Sequence, residues 1–291
     1  MEVIQNADDN KYTEGTTPSV SITVFPNYVK IGCNEEGFSR KNIRALCGTG
    51  QSSKTSGQGF TGEKGIGFKS VFKLANQAHI RSPPYYFQLD QTRELGIITP
   101  QWDEDYFDDH EEEHQTTIVL DNICDQSTDF STALTTDVEA IEPVLLLFLR
   151  RIERLDLTLF KSCSDNEPAI SKRFQRVDWT SQSGIVSLKD EDANKMHRLY
   201  KHRFTTGFDG TENRRLNIEK TDIVLAFPVK KESGTYVPLI RKRNFAFAYL
   251  PLGDFGFKVK YVMAAGMLLL MLCTVCHSGR FPHHIESAIG C

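Results

Sequence analysis

Glu2, Asn6 and Asp9 are spaced four and then three positions apart, which sets all three on one face of a helix. A carboxylate on such a face can activate water as a general base, and an amide oxygen beside it can hold a hydrated Mg2+. The plain alternative is the polar outer face of a surface helix. A second group is the run Gly62-Glu63-Lys64-Gly65-Ile66-Gly67-Phe68-Lys69-Ser70-Val71-Phe72. Its glycines let a backbone approach an anion closely, while Ile66, Phe68, Val71 and Phe72 recur at helical spacing. A glycine turn entering a helix offers free N–H groups and the positive end of the dipole to phosphate. Taken alone, three glycines also suit a turn where chains merely pack tightly.

The elements that must hold these groups follow from local pattern. Residues 1–9 read as a short helix ended by Asp8-Asp9-Asn10. Ser19 to Phe25 alternates as a strand, Tyr28 to Cys33 makes another, and Pro26-Asn27 joins them as a hairpin. Ser39 is an N-cap for a helix through Ile43 and Leu46 that Gly48 closes. The Gly-, Ser- and Thr-rich stretch 48–62 reads as a loop. A helix over 65–75 is followed by strands near 78–82, 85–89, 95–98 and 116–120. The acidic run 103–113 reads as a solvated loop. Ile141, Val144, Leu145, Phe148, Leu149 and Ile152 predict an amphipathic helix over 139–154, with a strand over 155–160. Further strands are expected at 222–229 and 244–250.

Composition narrows the function classes. The 291 residues are 40% hydrophobic and 25% charged, ordinary globular values that leave room for two modest domains. A net charge of −4 and pI near 6.1 argue against a general nucleic-acid binder or an anionic-membrane binder. The seven cysteines are scattered and the opening residues do not read as a signal peptide. This predicts free thiols in a reducing compartment, cytoplasm or nucleus. His110-Glu111-Glu112-Glu113-His114 matches a zinc-protease pattern in letters only, since no apolar periodicity surrounds it. Cys273-Thr274-Val275-Cys276-His277 matches a haem-attachment pattern, again without an export signal. The apolar run Val262 to Cys276 has 15 residues, short of the about 20 that cross a membrane.

Taken together, the motifs resemble a known family. Glu2-Val3-Ile4-Gln5-Asn6-Ala7-Asp8-Asp9 resembles the Glu-x-x-x-Asn box of the ATPase fold shared by gyrase, histidine kinases, MutL and the large heat-shock chaperone. Gly62, Gly65 and Gly67 are similar to its second glycine box, and Gly50-Gln51-Ser52-Ser53-Lys54 to part of its ATP lid. The order of blocks is most similar to the sacsin-like and plant "no vein"-type branch. That resemblance spans residues 2–72, with weaker similarity at Thr116 to Leu120, Leu146 to Leu149 and Phe247 to Pro251.

The resemblance implies ATP and Mg2+ as cofactors, Glu2 as the base for water, Asn6 as the Mg2+ ligand and Asp9 near the nucleotide. It implies phosphate contacts or lid positions for Ser52, Ser53, Lys54, Gly62, Lys64, Gly65, Ile66, Gly67 and Phe68, and a nucleotide contact for Thr117. The first glycine box departs from the family pattern: Asn34-Glu35-Glu36-Gly37-Phe38 has a single glycine, Gly37. Asn34 or Glu35 could supply the adenine acceptor, because either offers an oxygen; the register favours Asn34 slightly.

The expected fold is α/β: a two-layer, Bergerat-type sandwich, with a mixed sheet and helices on one face, over residues 1–125. A second, smaller α/β region follows at 126–258. Residues 259–291 read as an aberrant apolar tail, and the domain as truncated at both ends. Such a helix start frays, so ATP hydrolysis is expected to be weak. Arg241, Lys242 and Arg243 could reach a γ-phosphate or form a solvated basic turn. The function expected is a chaperone-like, ATP-binding module with protein clients and no membrane or nucleic-acid partner, in which nucleotide could drive dimerisation. A nucleotide-inactive scaffold is the alternative, and phosphotransfer to histidine lacks an identifiable acceptor helix.

Overall fold

The computed structural model describes residues 2–48, 68–107, 114–124, 128–147, 149–179, 184–207 and 220–239, with strand pieces at 246–248, 250–253, 263–264 and 267–268. It is an α/β protein with a large mixed sheet and few helices. The chain divides into two compact units, Met1–Gln175 with Asp190–Lys195, and Arg176–Lys189 with Met196–Cys291.

In the first unit, α1 (Glu2–Asp9) precedes the hairpin β1 (Ser19–Val24) and β2 (Val29–Cys33), then α2 (Arg40–Cys47). After a 3-10 turn at Phe68–Lys73 come β3 (Ala75–Ser82), β4 (Tyr85–Asp90), β5 (Gln101–Trp102) and β6 (Thr116–Ile123). Helix α3 (Thr128–Ala140), β7 (Arg154–Leu159) and β8 (Ile170–Trp179) follow. The strands lie in the order β8-β7-β1-β2-β6-β3-β4-β5. β1 and β7 run parallel, Ser19 opposite Arg154, while β2 and β6 run antiparallel beside them.

Alternation makes this sheet two-faced, because successive side chains on a strand point to opposite sides. Val24, Val29, Leu120, Ala78 and Leu89 stand opposite one another in register, as do Ile31, Ile118, Ile80 and Phe87. All nine are buried. The other face carries Ser21, Gly32, Thr117 and Arg81 in one row and Thr23, Lys30, Val119, His79 and Gln88 in the next. It is mainly polar.

The second unit carries β9 (Ile185–Asp190), β10 (Lys195–Gly207), β11 (Lys220–Glu232) and β12 (Thr235–Pro238), in the order β12-β11-β10-β9. β10 and β11 pair antiparallel from Arg198 opposite Val229 to Gly207 opposite Lys220. In the tail, Met263–Ala264 pairs with Met267–Leu268.

The short first helix, both strands of the first hairpin and the Ser39 cap form as their patterns predict. The Ser39 hydroxyl accepts from the Asn42 N–H, and the Asn42 side chain accepts from the Ser39 N–H. Three expectations are corrected. The helix over 139–154 does not form: α3 ends at Ala140, a 3-10 turn covers Pro143–Leu147, and β7 begins at Arg154. Pro143 explains the break, since its ring clashes with the carbonyl four residues back and it has no N–H to donate. The strand expected at 95–98 is a turn, with Leu95 at φ 56° and the Asp90 N–H donating to the Gly96 carbonyl. The acidic run is partly packed: Asp105–Phe107 is a 3-10 turn and Phe107 is buried. Among the described residues no helix is long and apolar enough to cross a membrane.

Candidate functional site

Helix α1 is held by its apolar side, with Ile4 and Ala7 buried. Its Asp8 carboxylate is 2% exposed and accepts the backbone N–H groups of Arg150, Arg151 and Ile152 at 2.8–2.9 Å. This fixes the C-terminal end of α1, where Asp9 is also buried. Asn6 is half-buried on the same helix. Position 2 lies within α1, but the Glu2 side chain falls outside the described residues.

Beyond α1 the sequence pointed to two oxygens, and the structure treats them differently. The Asn34 amide is used at both ends: its Oδ1 accepts from the Ser19 N–H at 2.8 Å and its Nδ2 donates to the Thr17 carbonyl at 2.9 Å. Glu35 is 5% exposed, and its Oε1 has no hydrogen-bond partner. Asn10, just past α1, and Thr116, on β6, lie beside the same carboxyl and favour its ionised form, against the larger effect of burial. Burial is the main cause that pushes the Glu35 carboxyl up to about 7. Gly37, at φ 93°, occupies the left-handed region that glycine enters without strain.

Thr116 also links to Ser82 at 2.8 Å, and the Ser82 hydroxyl accepts from the Phe38 N–H at 2.7 Å. Ser82 and Thr116 are both buried. Thr117 is buried too, but in register with Gly32 and Arg81 on the opposite face of the sheet. The threonine next to Glu35 is therefore Thr116. Motif reading cannot separate two adjacent threonines, although a period of two along β6 would have placed them on different faces.

Two further groups line this region without having been anticipated. The Tyr12 hydroxyl donates to the Ala7 carbonyl at 2.8 Å and lies 3.2 Å from the Cys33 sulfur. Burial is the first cause that raises both groups, Cys33 to about 12, so each stays protonated near neutral pH. Cys33, Cys47, Cys124 and Cys163 are free thiols.

Of the glycine-loop and lid residues, Phe68 is described and is buried. Lys69 donates to the Gly48 carbonyl at 2.8 Å. Ser52, Ser53, Lys54, Gly62, Lys64, Gly65, Ile66 and Gly67 lie outside the described residues.

The opposite face of the sheet holds a second polar cluster. His79 Nδ1 lies 2.5 Å from the Asp103 carboxylate, its ring stacks on Tyr106 with centroids 3.6 Å apart, and its Nε2 has no partner. His114 Nε2 lies 2.8 Å from the Ser21 hydroxyl, and a side chain at Gly32 would overlap the His114 ring. Of the zinc-like pattern, His114 is thus engaged with β1, while residues 110–113 lie outside the described residues. No group of three His, Cys, Asp or Glu residues close enough to hold a metal ion occurs among the described residues.

The structure thus defines an α/β protein with a buried carboxyl at the end of its first helix. No protein-family model matches the chain. Its sequence is 28% identical over 284 residues to Protein NO VEIN of Arabidopsis thaliana, an alignment covering 89% of this chain and 10% of that protein. The two are homologous, and the chain spans about a tenth of that relative's length. Among solved structures, the N-terminal domain of a DNA repair protein aligns with a TM-score of 0.41 at 12% identity, covering 87% of this chain and 71% of that one.

Proposed function

We propose that this chain is a chaperone-like, ATP-binding module, with the base of the nucleotide at Glu35 and the Mg2+ reached by Asn6. The observation that carries the reading is the Glu35 Oε1, buried and without a partner beside the end of α1. Natural proteins rarely leave a buried polar atom unpaired, and at such an atom a water, an ion or a ligand can complete the bonding. A purine edge supplies a matching group. In this reading the fold is the two-layer Bergerat sandwich, with its helices over the apolar rows of the sheet. The motif order over residues 2–72 and the homology to Protein NO VEIN support the same assignment.

The donor set also suits Mg-ATP. Mg2+ keeps several waters and binds through substrate phosphates plus one or two protein oxygens, so a lone Asn6 amide is an adequate protein contribution. The resemblance would then give Glu2 the role of base for the attacking water, Asp9 a place near the nucleotide, and the 62–67 glycines with Lys54 and Lys64 the phosphate contacts. Bound ATP would supply the phosphoryl group for a weak hydrolysis, and protein clients or a second copy would be the partners that nucleotide binding regulates. A nucleotide-inactive scaffold is the competing reading, and the tying of both ends of the Asn34 amide to main chain favours it.

Thermal unfolding with and without Mg-ATP, beside an Asn6→Ala variant, decides between them. A ligand at a hundredfold excess over its Kd stabilises the folded state by about 2.7 kcal/mol. A Mg2+-dependent rise in melting temperature, lost in the variant, is expected. No shift at millimolar ATP in a cooperatively folding sample would favour the scaffold.

A further inference from the structure

The last strand of the first unit's sheet leaves part of its main chain open. β5 has a neighbour on one side only, β4. Phe87 stands opposite Trp102 and Gln88 opposite Gln101, and the Asp103 N–H donates to the Tyr86 carbonyl at 3.1 Å. Bonded and unbonded positions alternate along an antiparallel pair. Tyr86 and Asp103 hold a bonded position, so Phe87 and Trp102 hold an unbonded one, and the Trp102 N–H and C=O point away from β4. The Trp102 side chain is 63% exposed, equalled among the described large apolar residues by Leu95, in the turn between β4 and β5. Its ring ends a short series: the Arg81 guanidinium lies 6.0 Å from the centre of the Tyr86 ring, and Tyr86 meets Trp102 edge-on with centroids 6.0 Å apart. The Trp102 Nε1–H donates to the Glu104 carboxylate at 3.2 Å, which holds a negative charge at the rim of the ring. Glu104 and Asp105 are exposed, and neither has a cation beside it among the described residues. The two arginines of this edge are already engaged, Arg81 with the His114 carbonyl and Arg93 with Asp90.

We propose that the β5 edge is a docking site for an extended, basic segment of another protein. One residue of that segment exchanges N–H and C=O bonds with Trp102, which is strand addition at its shortest. Directly paired residues share a face of the sheet, so a lysine or arginine at that position packs on the Trp102 ring, and its charge meets Glu104 and Asp105. The same edge turns other partners away. Pro100 has no N–H to offer a longer ladder, and the carboxylates repel an acidic strand. A second copy of this chain is a poorer occupant, because each copy carries a net charge of −4 and like charges oppose association. The inference stands apart from the nucleotide reading.

The test is fluorescence anisotropy of a labelled peptide of alternating lysine and valine, titrated with the chain. The same peptide with glutamate for lysine, and one N-methylated at its lysines, serve as controls. The lysine peptide is expected to bind, more weakly as salt is raised, and both controls to bind about tenfold more weakly or worse. Trp102→Ala is expected to weaken binding about fivefold, with part of the loss recovered in Trp102→Phe, which keeps an aromatic ring. Glu104→Lys should weaken it about tenfold. Glu14→Lys makes the same change of charge at an exposed position ahead of β1 and should leave binding as it was. Trp102 and Glu104 are both exposed, so the variants are expected to melt where the parent does. Failure of the lysine peptide to bind would overturn the proposal, and so would equal weakening by Glu14→Lys and Glu104→Lys, which would reduce the effect to overall charge. Undiminished binding of the N-methylated peptide would overturn the strand pairing. A dimer in sedimentation that Trp102→Ala abolishes would give the edge to a second copy and overturn the basic partner.

Discussion

A single buried carboxyl makes stability depend on pH even without ligand. Glu35 in the folded chain holds its proton up to about 7, whereas an unfolded glutamate releases it in the ordinary carboxylate range. The folded state therefore binds more protons between those limits, and its stability falls as pH rises through that window. Glu35→Gln removes the titration. In urea unfolding the variant should match the parent near pH 4 and exceed it at pH 8 by on the order of 2 kcal/mol. Equal stability at pH 8 would show that water or a donor reaches Oε1. Sequence alone narrowed this residue only to a pair, because Asn34 and Glu35 are adjacent and both carry an oxygen. In the structure the Asn34 amide bonds Thr17 and Ser19 while a Glu35 oxygen stays without a partner, a difference set by loop contacts that two adjacent letters do not show.

At the scale of elements, what was legible is what local chemistry determines. Ser-Val-Ser-Ile-Thr-Val and Arg-Leu-Asp-Leu-Thr-Leu announce half-buried strands, and both form as β1 and β7. Ser39 ahead of Ile43 and Leu46 announces a helix start, and α2 begins there. The 139–154 helix failed because an apolar periodicity was read through Pro143. The run it covered is buried on every side from Pro143 to Leu147, so it has no solvent face to give a true amphipathic pattern. The link between Asp8 and residues 150–152 was also out of reach, since the partners are 142–144 positions apart. That link makes α1 depend on a distant turn. Asp8→Ala leaves three N–H groups without their acceptor and should cost on the order of 3 kcal/mol in urea unfolding. Asp8→Asn keeps one acceptor oxygen and should recover part of the loss. A loss below about 1 kcal/mol for the alanine variant would mean that water replaces the carboxylate.

For the whole molecule, the two units differ in how their strands find partners. In the second, β10, β11 and β12 are antiparallel neighbours in chain order. In the first, β1 lies between β2, which follows it at once, and β7, which comes from residues 154–159. During synthesis the chain lengthens at about 5–20 residues per second. The β7 side of β1 therefore waits on the order of ten seconds for its partner. Through that interval Val20, Ile22 and Val24 sit on a strand with one open edge, the kind of surface that pairs with other chains. Nascent chains arrested before residue 159 should be cut by protease within β1, and chains arrested well beyond it should resist. Equal protection in both would mean that another segment guards the edge until β7 arrives. The parallel pair that completes the finished sheet is thus, earlier in the chain's life, its period of greatest exposure to aggregation.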